Sequence, residues 1–111
     1  PGDVLLVEGH SRVSNVIRTI TQSPWTHSVL YVGRLHDIED PIVRQRIKES
    51  YHAEEGDQLV IESVLGKGTV VTPLKRYRDF HVRICRPSGI SRQDAEKVVA
   101  HASLSIGKEY D

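Results

Sequence analysis

Acyl-transfer chemistry needs a base, a group that orients it and a nucleophile, and this chain offers a candidate for each. His27 stands in SPWTHSVLYVG, residues 23–33, where a Pro-Trp-Thr lead-in gives way to an apolar run. An imidazole titrates near neutrality, which makes histidine the commonest general base. The start of a strand combines a rigid backbone with access to a cleft. The same position also suits a half-buried sheet histidine, hydrogen-bonded and inert beside Trp25. Glu62 interrupts the apolar run LVIESVL and, on strict alternation, shares a face with Val60 and Val64. A lone buried carboxylate is costly, so Glu62 is either exposed or paired. If paired, it suits the role of accepting a ring N–H from a histidine and stabilising the imidazolium.

Cys85 is the single thiol. It sits at the end of a strand pattern, just before Arg86 and Pro87. Reactive cysteines occupy helix N-termini or stand beside a base, where the thiolate is stabilised. Neither signal surrounds Cys85, which therefore reads as structural. One cysteine also excludes an internal disulfide and a multi-thiolate zinc site. His10, His36, His52, His81 and His101 lack metal-ligand spacing, so no metal or other cofactor is expected. Asp37, Glu39 and Asp40 read as a solvated acidic loop. Gly66 and Gly68 lack the downstream Gly-Lys-Ser/Thr of a phosphate loop. Arg76 and Arg78, flanking Tyr77, read as surface.

The elements that must position these groups follow from periodicity. Val4 to Val7, after the turn-prone Pro1-Gly2-Asp3, is a buried strand. Val13, Val16, Ile17 and Ile20 trace one face of a helix over Ser11 to Gln22, stopped by Pro24. His27 to Gly33 alternates as a strand, with His27, Val29 and Tyr31 on one face. Asp40-Pro41 opens a short, weakly amphipathic helix to about Ser50, expected as a surface insertion. Gln58 to Val64 is a strand, Leu65 to Gly68 a hairpin turn and Thr69 to Thr72 its return arm. Phe80, Val82 and Ile84 mark a further strand within Tyr77 to Arg86, ended by Pro87. Ser91 and Asp94 form a capping pattern for a last helix, whose expected inner face is Ala95, Val98, Val99, Ala102 and Ile106. Sequential strands joined by hairpins predict an α+β fold, an antiparallel sheet with flanking helices.

The 111 residues suit one domain, residues 1–111. Apolar residues at 38% and charged residues at 27% place the chain among globular proteins. Fifteen basic and fifteen acidic side chains leave no net charge, and hence no electrostatic pull toward nucleic acid or an anionic membrane. No apolar run approaches a bilayer span, and no basic-then-apolar leader is visible. The absence of methionine predicts a processed or truncated segment.

The ordered set PGDVLLVEG, SPWTHSVLYVG, VIESVLGKGTVVTPL, RICRPSGIS and IGKEYD resembles the YiiX-like proteins, permuted papain-like cysteine hydrolases of the NlpC superfamily. The likeness runs through essentially the whole segment. It implies a circularly permuted papain-like (NlpC-type) fold, incomplete at its C-terminus. It implies His27 as the catalytic base and Glu62 as the acidic orienting residue; Trp25, beside His27, is read either as a wall of the substrate cleft or as a core residue. The family's cysteine follows the G-K-x-Y-D motif, here Gly107 to Asp111, so the resemblance implies a nucleophile beyond Asp111 rather than Cys85. The implied substrate is a small peptide, amide or acylated molecule, such as a cell-wall peptide or an N-acylated amino acid. The implied setting is the cell envelope or cytoplasm of a bacterium. Two alternatives stay open: a binding module of the same fold without a nucleophile, and a lipid acyltransferase or phospholipase-like enzyme.

Overall fold

A computed structural model describes residues 2–8, 26–64 and 66–108. Five strands form one antiparallel sheet: β1 (Val4–Val7), β2 (His27–Gly33), β3 (Leu59–Val64), β4 (Gly68–Pro73) and β5 (Val82–Cys85), in the order β4-β3-β2-β1-β5. Two α-helices are described, α1 (Pro41–Ser50) and α2 (Arg92–Ser103). The helix expected over Ser11 to Gln22 lies outside the described residues.

The pairing expected between the strands of His27 and Glu62 is present. Leu30 faces Ile61 and Tyr31 faces Val60 across β2 and β3. Beyond Tyr31 the register slips, so that Gly33 faces Leu59. Gly33 takes φ +96°, a conformation that L side chains rarely adopt, and it absorbs this irregularity at the end of β2. The expected hairpin turn between β3 and β4 is closed by the Lys67 amide donating to the Val64 carbonyl at 3.0 Å.

Alternation divides the sheet's side chains between two cores. On one face Val32, Ile61 and Val71 pack with Val43 and Ile47 of α1 and Val99 of α2. On the other, Leu5, Val29 and Val60 pack with Tyr31, Leu74, Tyr77 and Val82. Glu62 belongs to this second face by the same alternation that places Val60 there.

The helix signals act locally as expected. Asp40 accepts from the Ile42 amide at 2.9 Å and Pro41 occupies the first turn of α1. Ser91 and Asp94 exchange reciprocal bonds at the start of α2, at 3.1 and 3.2 Å.

Three sequence expectations need correction. α1 is no surface insertion: Ile47 is fully buried and Val43 nearly so, while Ile42 alone of its large apolar residues points to solvent. The mixed polar pattern hid this because two side chains, one helical turn apart, suffice to seat a short helix on a sheet. On α2, Val98 is exposed; Ala95, Val99 and Ser103 are buried, and Ala102 and Ile106 pack partly buried against the same core as expected. The strand pattern from Tyr77 to Arg86 shortens to Val82–Cys85, because Leu74–Tyr77 winds into a 3-10 turn before it. That turn closes over the second core and brings Tyr77 toward Glu62.

Candidate active site

The side chains of His27 and Glu62 meet. His27 Nε2 lies 3.1 Å from Glu62 Oε1. Extending the β2–β3 register puts Glu62 beside Val29, two residues along from His27 on the same face. The contact is therefore a diagonal cross-strand pair, within reach of long side chains. Burial is unequal: the Glu62 side chain is 5% exposed and that of His27 is 30%. The carboxylate is sunk in the second core, and the imidazole keeps an edge toward solvent.

Glu62 has two further donors that the sequence did not single out. The Tyr77 hydroxyl donates to Oε1 at 2.5 Å. The Thr72 hydroxyl, itself buried on β4, donates to Oε2. Both carboxylate oxygens thus accept hydrogen bonds, as burial of the group demands. Burial by itself pushes the Glu62 pKa up, but the bonds from His27, Thr72 and Tyr77 outweigh it and hold the carboxyl below its ordinary range. Burial, with the bond to and charge of Glu62, pushes the Tyr77 phenol well above its ordinary value, so it remains a donor at any physiological pH. Its ring lies 6.4 Å from the imidazole, tilted by 36°, and meets Phe80 edge-on at 5.4 Å.

An ionised carboxylate can only accept hydrogen bonds. In the neutral ring, Nε2 opposite Glu62 therefore carries the proton and Nδ1 the lone pair. The arrangement can take up a proton at Nδ1 while the carboxylate stabilises the resulting imidazolium.

Cys85 is far from this nitrogen. It faces Val4 at one end of β1, whereas His27 faces Val7 at the other. Three residues along the strand and two strand spacings across the sheet separate their backbones by about 14 Å. By alternation the two side chains also point to opposite faces. Trp25 lies outside the described residues.

Two open cavities are described, and only one of them borders the pair. One, of about 700 Å³, borders His27 and Glu62, but Leu30 and Ile61 on its floor belong to the helix-side face. The other, of about 500 Å³, lies by the N-termini of α1 and α2, between Asp40 and Arg92. Among the described residues no group of three or more His, Cys, Asp or Glu is placed to hold a metal ion. No helix among them is long and apolar enough to cross a membrane.

An antiparallel sheet flanked by helices, with its histidine strand preceding the last helix, is the architecture of a papain-like hydrolase fold whose chain order has been permuted. The comparison with protein families makes the assignment specific. Residues 1–111 match the permuted papain-like amidase family YaeF/YiiX, C92, and the chain belongs to that family. A search of curated proteins finds no match.

Proposed function

We propose that the chain carries the base and orienting residue of a cysteine amidase or peptidase, with His27 as base and Glu62 as its orienting partner. The single observation behind this reading is the His27–Glu62 contact, made by a buried carboxylate that three hydrogen bonds keep ionised. The nucleophilic thiol comes from outside this segment, since the only cysteine here is remote from His27 and on the other face.

In this mechanism the thiol proton passes to His27 Nδ1 and the thiolate attacks the carbonyl carbon of an amide. The C–N bond breaks as the imidazolium returns that proton to the leaving amine, which gives a thioester. Water then adds to the thioester, with Nδ1 taking its proton, and the acid product leaves with the thiol restored. Glu62 keeps the ring turned and its positive charge stabilised throughout. The family's amidase chemistry, together with the absence of charge bias in this chain, favours a small uncharged linkage as substrate, such as the amide of a cell-wall peptide or of an N-acylated amino acid. Trp25, two residues before His27, is proposed to wall the cleft.

The test is thiol alkylation by iodoacetamide in the full-length protein, mapped to the nucleophilic cysteine by peptide mass. A thiolate paired with an imidazolium reacts almost independently of pH between 8 and 6. An ordinary thiol of pKa about 8.5 loses roughly 80-fold in thiolate fraction over those two units. The expected profile is flat, and steep after His27→Ala. A profile that stays flat in His27→Ala, or amide turnover unchanged by that substitution, refutes the assignment.

A further inference from the structure

We propose that Tyr77 and Thr72 are positioning residues for the His27 base, acting together as a clamp on the two oxygens of Glu62. The proposal rests on the reading of His27 and Glu62 given above and extends it to two residues that act through Glu62.

A glutamate has three side-chain torsions, and fixing them costs entropy that must come from its contacts. The imidazole alone supplies a single bond, to Oε1, and cannot prevent the carboxylate from turning about its terminal torsion. Thr72 ties down Oε2 from β4. Tyr77 ties down Oε1 from the 3-10 turn and shares that oxygen with His27. With both oxygens held, the lone pair offered to Nε2 has one direction, and the ring that follows it presents Nδ1 in one direction as well. The two clamp residues come from different elements: one from the strand beside Glu62, the other from a turn anchored by its packing on Phe80 and the apolar cluster. The clamp therefore reports whether the sheet and the turn are seated together.

Among the described residues neither hydroxyl has another hydrogen-bond partner. Thr72 is 4% exposed and bonds Glu62 rather than its own backbone. Tyr77 presents a half-buried ring whose only polar atom reaches inward to Glu62. A hydroxyl serving packing alone is replaceable by hydrogen or methyl. A hydroxyl serving the base is not, since small displacements of catalytic groups cost up to about a hundredfold in rate.

Tyr77→Phe removes one oxygen and keeps the ring; Thr72→Val keeps the shape of the side chain. Iodoacetamide alkylation of the nucleophilic thiol in the full-length protein is measured at pH 8 and pH 6, on material shown to be folded by near-ultraviolet circular dichroism. Either variant is expected to raise the ratio of the two rates to about tenfold, between the flat unaltered profile and the roughly 80-fold slope of an ordinary thiol. In a Glu62→Gln background the same substitutions are expected to change the ratio by less than about twofold, because the group through which they act is gone. Unaltered ratios in both variants overturn the proposal. So does an equal change with and without Glu62, the outcome a general loosening of the fold produces. If both variants stay flat while His27→Ala is steep, the clamp fails and the assignment of His27 stands. If His27→Ala itself stays flat, the underlying assignment fails.

Discussion

Thr72→Val should lower stability by an amount that depends on pH, and the dependence identifies the cause. Valine matches threonine in shape, so the apolar packing of this 4% exposed side chain on β4 is preserved. What is lost is the hydroxyl that donates to Glu62 Oε2, an oxygen to which no other described residue is seen to donate. A hydrogen bond to a charged group is worth about 1.5–3 kcal/mol. The folded-state pKa of Glu62 lies below its ordinary 4.5, so its stabilising contribution is complete above the unfolded value and is lost as pH falls through the folded one. At pH 7 the full 1.5–3 kcal/mol, roughly, should be missing from the variant. With a urea slope of about 1.3 kcal/mol per molar, the midpoint falls by roughly 1–2 M. At a pH below the folded-state value of Glu62 the carboxyl is protonated, and the loss should shrink toward the 0.5–1.5 kcal/mol, approximately, of a neutral pair. Equilibrium urea unfolding of the full-length protein at both pH values measures the difference. A loss under about 0.5 kcal/mol at pH 7, or the same loss at both pH values, refutes the account of Glu62 as a buried, ionised acceptor.

Other outcomes follow from burial and register. Ile47→Ala should cost about 2–5 kcal/mol by urea unfolding, as expected for a fully buried aliphatic, while Ile42→Ala in the same helix should stay within about 0.5 kcal/mol. Equal costs at the two sites refute the placement of α1. Cys85→Ser should leave the alkylation profile of the nucleophilic thiol unchanged within about twofold, since Cys85 lies near the far end of β1 and on the opposite face. A profile turned steep by that change makes Cys85 part of the site.

Signals acting over two to four residues were legible in the sequence. The alternation HSVLYVG, the Asp40-Pro41 start and the Ser91/Asp94 capping box each determine a backbone path through bonds to near neighbours. The His27–Glu62 pair was legible because a carboxylate in an apolar strand has to find a partner. Its clamp was not. Thr72 looks like any β-branched strand residue, and only the pairing of β4 with β3 reveals that its hydroxyl reaches a carboxylate. Tyr77 sits between two exposed arginines, and its turn is set by tertiary packing rather than by local preference. The strand order was equally hidden. Hairpin reasoning places neighbours in sequence side by side, whereas β1 lies between β2 and β5, so that the first and last described strands pair at one edge of the sheet.

His27, Glu62, Thr72 and Tyr77 are all carried by three consecutive antiparallel strands and the turn that follows them. On the proposed reading, the base and the described residues that steady it therefore lie on one continuous stretch of polypeptide. A rearrangement of chain order that breaks the backbone outside residues 27–77 leaves this unit uncut and changes only the direction from which a thiol arrives. If the proposed roles hold, permutation is compatible with unchanged chemistry for a mechanical reason: the base and its supports are contiguous, and the thiol has only to be delivered to them.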